Sequence, residues 1–168
     1  VLISLLTAWV ILIIFFSKYP ISIKGLLQVE HNEVRLFRYT VLYASFAFII
    51  SLIREVVKDM EDIEGDRKYG CRTMPILWGI NASKVFVAVW IVVLVAALII
   101  LQFYVLPFGW WLSALYCLLF IILPLLWILQ KLFKAQSAKE FHLISNVIKT
   151  VMFSGILSML FFWFYLRG

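Results

Sequence analysis

The stretch "REVVKDMEDIEGDRKYGCRTMP", Arg54 to Pro75, decides how this chain is read. Six of the nine acidic residues in the 168-residue sequence fall between Glu55 and Asp66, interleaved with Arg and Lys. Around that island the sequence is Leu, Ile, Val, Phe and Trp. It is 65% hydrophobic and 14% charged overall, with mean hydropathy +1.05. A soluble domain runs at about 45–50% apolar and about 25% charged. One water-soluble core of this length has no room for so much apolar surface, and the composition predicts an all-α, polytopic transmembrane helical bundle.

Five apolar runs supply the expected spans: Val1–Phe16, Tyr39–Ile53, Val85–Val105, Trp110–Leu129 and Leu143–Leu166. Crossing the hydrocarbon takes about 20 residues. Val1–Phe16 is short for that, and the chain enters an apolar run at Val1 with neither Met nor a basic leader. The expectation is a single transmembrane domain over residues 1–168, the N-terminally truncated part of a larger one. Tyr39–Ile53 is also short, and Arg54 and Lys58 lengthen it by snorkelling. "LPFG", Leu106–Gly109, reads as a tight hairpin turn, and Lys131–Phe141 as a short basic connection.

Threading these spans puts Arg54–Lys84 and Lys131–Phe141 on one side of the membrane. That side carries nine cations: Arg54, Lys58, Arg67, Lys68, Arg72, Lys84, Lys131, Lys134 and Lys139. The other side carries five: Lys18, Lys24, Arg35, Arg38 and Arg167. The positive-inside rule makes the Arg54–Lys84 loop cytoplasmic, in an integral protein of the cell inner membrane. The net charge of +6 therefore reflects topology and does not indicate a nucleic-acid partner. Cys71 and Cys117 form no CxxC pair, and His31 and His142 no metal-ligand spacing, so neither a disulfide framework nor a zinc site is expected. Lys149, early in the last span, either faces a bundle interior or snorkels to the interface. Phe103, Tyr104, Trp110, Trp111 and Tyr116 either line a channel or, as such aromatics do more often, pack and sit in the interface belt.

If Glu55 to Asp66 continues as helix out of the second span, Glu55, Asp59, Asp62 and Asp66 fall at i, i+4, i+7 and i+11 on one face. Such a stripe repels itself unless a cation sits against it. Oxygen-only ligands point to a hard ion, Mg²⁺ first. Mg²⁺ completes its shell with water and substrate phosphates, so acids beside bases at a membrane face suggest a lipid-tailed phosphate or diphosphate. A solvated juxtamembrane loop is the plainer reading of any charged loop, but it does not by itself put acids on one stripe. Gly65 and Gly70 are expected to break the helix and turn the chain back over the site, with Pro75 opening the next segment. Glu61 and Glu64 fall off the stripe and are expected to be solvated.

"REVVKDMEDIEGDRKYGCRTMPILWG", Arg54–Gly79, closely resembles the second aspartate-rich motif of the UbiA superfamily of intramembrane prenyltransferases. The pattern is D-x-x-D-x-x-x-D, here Asp59, Asp62 and Asp66, followed by a basic residue, a Gly and a T-x-P run. "SNVIKTVMFSGILSM", Ser145–Met159, is similar to that family's final helix. The resemblance implies the C-terminal part of a nine-helix prenyltransferase fold, open to the membrane and holding Mg²⁺ and an isoprenoid diphosphate on its cytoplasmic side. It implies that Asp59, Asp62 and Asp66 are the metal ligands and catalytic residues. It implies that Arg67, Lys68 and, more weakly, Arg72 contact the diphosphate, with Arg54, Glu55 and Lys58 as structural partners.

Function follows from the resemblance as an expectation: Mg²⁺-dependent transfer of a prenyl group from an isoprenoid diphosphate to a lipid or aromatic acceptor within the membrane. "REVVKDMEDIEGD" looks most like the branch that moves geranylgeranyl groups in ether-lipid synthesis. The family's first motif, N-x-x-x-D-x-x-x-D, is absent from these residues, and "SKYPISIK" (Ser17–Lys24) does not match the Tyr/Lys pattern expected ahead of it. This stretch alone is therefore expected to be inactive. The alternative is a non-catalytic or degenerate membrane protein that binds lipid phosphates, or a subunit whose partner completes the half-site. A transporter would show internal repeats, and none is visible.

Overall fold

A computed structural model describes residues 31–106 and 111–167, and the side chains of 41–104, 106 and 111–158. Every regular element among them is a helix. The chain divides into two compact units, Val1–Leu52 and Ile53–Gly168. The described part of the first belongs to helix α1, His31–Glu61, which contains the expected Tyr39–Ile53 run. The Val1–Phe16 run and the Leu106–Gly109 turn, past Leu106, lie outside the described residues.

In the second unit α1 ends at Glu61 and a bend at Asp62 (φ −94°, ψ 8°) leads into α2, Ile63–Lys68. Backbone bonds straddle the bend, Asp62 N–H to the Lys58 carbonyl at 3.0 Å and Asp66 N–H to the Asp62 carbonyl at 2.9 Å. The expected continuous helix thus persists with one interruption. Gly65 sits inside α2 and does not break it, a correction to the sequence reading. Gly70 does the breaking: its φ is +70°, and its N–H reaches the Arg67 carbonyl while that of Cys71 reaches Asp66. This is a Schellman termination, which favours glycine at the left-handed position.

Helix α3, Met74–Trp78, opens with Pro75 in its first turn, as expected. There a missing N–H costs nothing. Gly79 (φ +86°, ψ 158°) joins α3 to α4, Ile80–Val105. Helix α5, Trp111–Cys117, runs through a π-helical segment, Leu118–Ile122, into α6, Leu123–Lys134. Pro124 explains the wide turn: its ring displaces the carbonyl four residues back, and the i→i−5 bond from Leu123 N–H to the Leu118 carbonyl absorbs the slack. The basic connection is shorter than Lys131–Phe141, because Lys131 and Lys134 close the last turn of α6 and only Ala135, Gln136 and Ser137 separate it from α7, Ala138–Arg167. Glu140 accepts from the N–H groups of Gln136 and Ser137 and from the Ser137 hydroxyl at 2.8–3.0 Å, which caps the start of α7.

Helix α6 packs against both α4 and α7. Leu125, Ile128 and Leu132 of α6 are fully buried, facing a core of Val87, Ile91, Leu94 and Leu98 from α4 and Phe141, Ile144 and Ile148 from α7. The spacing of three and four is that of one helical face. The outer faces are apolar as well, with Val89, Val92, Ile100 and Phe103 of α4 exposed. A soluble protein would put polar residues there. Ile80–Tyr104, Trp111–Lys134 and Ala138–Ser158 are each long and apolar enough to cross a membrane. They match the third, fourth and fifth expected spans, and the chain is an integral membrane protein built as a helical bundle.

Among the described residues of this unit one cation is buried. Lys84, expected at the edge of the charged loop, lies inside α4, and its ammonium donates to the Ala135 carbonyl at the end of α6. It also sits 5.7 Å over the Phe141 ring. The free carbonyls of a helix C-terminus favour a positive charge, and the ring face adds cation–π attraction. Lys84→Met keeps the stem and removes the head, and should cost about 1–3 kcal/mol, read as a lower thermal midpoint of the detergent-solubilised full-length protein. Gly79→Ala meets no neighbouring atom within 4 Å. Its positive φ should still lower the midpoint, by about 1–3 kcal/mol of backbone strain alone. An unchanged midpoint in either variant would contradict these assignments.

Candidate functional site

The motif carboxylates are carried by the end of α1 and by α2, where apolar residues anchor one face of the helix. Ile53, Val56, Val57 and Met60 are buried, which fixes α1 and leaves Glu55, Asp59 and Asp62 on its other sides. Asp59 and Asp66 are half-buried and Asp62 is exposed. Burial first, then the charges of Glu55, Asp66 and Asp62, push the Asp59 carboxyl up to about 6. The structure thus brings the four acids of the predicted stripe within electrostatic reach of one another.

Lys58 answers part of that charge. Its ammonium lies 2.9 Å from Asp62 Oδ2 and 3.2 Å from Glu61 Oε1. Hydrogen bonds to Asp62 and then Glu61 raise its pKa above the ordinary lysine value. Glu61 is the main correction at the site: it is not solvated. Its side chain is 12% exposed, and Oε1 also meets His142 Nδ1 of α7 at 2.7 Å. Its second oxygen, Oε2, is buried with no hydrogen-bond partner among the described residues. Glu64 is exposed, as expected.

The basic candidates Arg67, Lys68 and Arg72 are all exposed, on α2 and on the turn that follows Gly70. Thr73, in the T-x-P run, keeps a buried hydroxyl with no partner among the described residues. The Lys58 contacts were legible as i, i+3 and i, i+4 helix pairs. The Glu61–His142 contact joins residues 81 positions apart, and no local pattern announces it.

The donor set can be tested against a hard divalent ion. Among the described residues no three His, Cys, Asp or Glu side chains converge into a closed metal cage. Mg²⁺ does not require one, since a few carboxylate oxygens suffice when water and phosphate fill the shell. Burial first, and then the charges of Glu55, Asp66 and Asp62, make Asp59 take up a proton near pH 6, and the share owed to those acids marks a place short of positive charge. All-oxygen donors with that electrostatic deficit fit Mg²⁺.

The sequence profile of the UbiA prenyltransferase family matches residues 1–153. A 54-residue stretch is 44% identical to a digeranylgeranylglyceryl phosphate synthase of Thermococcus sibiricus, covering 32% of this chain and 19% of that protein. A protein of the same name from Methanothermobacter thermautotrophicus is 47% identical over 51 residues, 30% of this chain and 18% of the relative. A third, from Halobacterium salinarum, is 38% identical over 74 residues, 44% and 26% respectively. The matched stretch spans about a fifth of the length of the first two relatives. No solved structure matches the chain.

The raised Asp59 carboxyl gives a pH signature. Between pH 3.8 and about 6 the folded protein holds a proton there that the unfolded chain has released, so stability falls as pH rises through that window and levels off above it. Without divalent cations, Asp59→Asn should therefore raise the thermal midpoint of the full-length protein at pH 7.5, and the gain should shrink toward pH 4.5. A gain that is independent of pH would remove the electrostatic account of this residue.

Proposed function

The chain belongs to the UbiA prenyltransferase family, and from that premise we propose that it is part of a membrane enzyme transferring a prenyl group from an isoprenoid diphosphate to a lipid acceptor. Geranylgeranyl is the favoured group, because relatives with matching stretches carry the name digeranylgeranylglyceryl phosphate synthase. The observation that carries the reading is the carboxylate stripe Asp59, Asp62 and Asp66, with the half-buried Asp59 pushed up to about 6 by burial and its acidic neighbours. The stripe lies on a cytoplasmic face of the cell inner membrane in this reading, since the cations cluster on the same side.

In this reading Asp59, Asp62 and Asp66 would offer carboxylate oxygens to Mg²⁺, with water and phosphate completing its shell. Bound there, Mg²⁺ would supply Lewis-acid neutralisation of a leaving diphosphate. Arg67, Lys68 and Arg72, exposed beyond the stripe, neutralise the remaining phosphate charge by charge-assisted hydrogen bonds. Lys58 covers Asp62 with positive charge and limits repulsion along the stripe. The apolar faces of α4 and α7 keep water from the lipid side and give a prenyl chain a medium like its own. The carboxylates and cations are placed before the reaction where charge develops during it, which is how a preorganised site lowers a barrier.

The test is release of diphosphate from geranylgeranyl diphosphate by the full-length protein with Mg²⁺, beside Asp62→Asn and Asp66→Asn. Each variant should lose on the order of 100-fold in kcat/KM, the scale of removing one electrostatic stabiliser. Chelation of the metal should abolish release, and added Mg²⁺ restore it. A full-length protein that neither binds nor cleaves any isoprenoid diphosphate leaves a binding or vestigial role instead.

A further inference from the structure

Glu61 is an uncommon residue for its place. A carboxylate taken largely out of water is tolerated only when it is well paired, and this one is paired through a single oxygen. Oε1 receives both His142 Nδ1 at 2.7 Å and Lys58 Nζ at 3.2 Å, while Oε2 is buried without a partner among the described residues. Lys58 in turn lies 2.9 Å from Asp62 Oδ2 and 3.3 Å from Oδ1. The contacts form a chain from α7 to the motif: His142, Glu61, Lys58, Asp62. Three of these four sit on the last turns of α1 or at the bend, so they move with it, and His142 alone comes from another helix.

We propose that His142 is a positioning residue for the site: from the final helix it holds Glu61, Glu61 holds Lys58 beside Asp62, and α7 thereby sets where the middle carboxylate of the motif points. The inference rests on the prenyltransferase reading for its kinetic consequence, but not for the contact itself. With His142 gone, Glu61 keeps one partner for a largely buried charge and turns toward water or draws Lys58 further onto itself. The first leaves Lys58 and Asp62 paired but no longer tethered to α7, the second draws Lys58 off Asp62, and in both the position of Asp62 is no longer set by the final helix. Outer contacts that orient ligating groups are worth about 10–100-fold in metal affinity or activity, and the same range is expected here.

The experiment uses the full-length protein with His142→Ala, His142→Asn, Glu61→Gln and the double variant His142→Ala/Glu61→Gln. Asn places an amide N–H close to where Nδ1 stood and cannot supply the imidazole in any other way. His142→Ala should lower kcat/KM for geranylgeranyl diphosphate and weaken Mn²⁺ binding, read by electron paramagnetic resonance, each about 10-fold or more. His142→Asn should recover most of both losses. The double variant should be no worse than the poorer single, because residues in one network are not additive.

An active wild type with unaffected His142→Ala, or an Asn variant no better than Ala, overturns the proposal and leaves the enzyme reading intact. A wild type without transfer overturns the enzyme reading. In that case hydrogen exchange of the Lys58–Asp66 amides decides the positioning role: faster exchange in His142→Ala that is restored in His142→Asn upholds it, and unchanged exchange ends it.

Discussion

Glu55, Asp59, Asp62 and Asp66 repel one another across the end of α1, and the surrounding structure is organised by how that repulsion is met. The apolar face of the helix cannot yield, because Ile53 and Val57 are fully buried. The acids therefore stay where the helix puts them, and relief must come from protons, cations or backbone geometry. All three are present: Asp59 takes up a proton readily, Lys58 lies against Asp62 and Glu61, and the bend at Asp62 interrupts the regular stripe. Each relieves the charge in part. In the proposed reading, the remaining deficit is what a hard cation, and the phosphates that travel with it, would answer.

The chain then has to leave the charged segment and enter the membrane within a few residues. It does so with two glycines in conformations that side chains resist, at Gly70 and Gly79, and a proline-led turn between them. The hydrogen bonds of this passage are local, from Tyr69 to Gly65, Cys71 to Asp66 and Gly79 to Pro75, so these backbone groups are satisfied within the passage itself. That matters at a membrane face, where an unpaired N–H or carbonyl has little water to turn to. Lys84 then ties the start of α4 to the end of α6. A buried ammonium would be a liability in an apolar core. Set against the open carbonyls of a helix end and an aromatic face, it becomes a fastening between α4, α6 and α7.

Much of this was legible in the sequence, for identifiable reasons. Apolar runs of span length leave few alternatives to helices, since only helices satisfy their own backbone in lipid, and α4, α6 and α7 follow from that. The carboxylate spacing and the Lys58 pairs are properties of one helix, so a 3.6-residue period finds them. Gly65 misled because glycine weakens a helix without ending it. What ends α2 is the left-handed position at Gly70, which no count of glycines distinguishes in advance. Glu61 was read as solvated because it lies off the stripe, yet the side it faces is covered by α7 and His142. Lys84 looked like a loop cation because the apolar run begins only at Val85, whereas the helix already starts at Ile80. Contacts 81 and 51 residues apart are set by packing, and a one-dimensional period carries no trace of them.

The direction of side chains on α7 explains why the last helix is the one that reaches the motif. Helical side chains lean toward the helix N-terminus, and the N-terminus of α7 lies at the end of the bundle that holds the acids, since His142 in its second turn touches Glu61. Residues further along the helix lean the same way. Lys149 reaches back one turn to donate to Asn146 Oδ1 at 3.1 Å, and Thr150 bonds the Asn146 carbonyl. His142, Asn146 and Lys149 fall at i, i+4 and i+7 and are all exposed, so α7 presents a polar edge that begins at the motif and runs into the span. An ionisable side chain in a span is costly and is kept where it can reach water or a polar partner. Leaning toward the charged end lets Lys149 do both with one rotamer, and the same tilt carries the imidazole of His142 onto a carboxylate that α1 cannot satisfy alone.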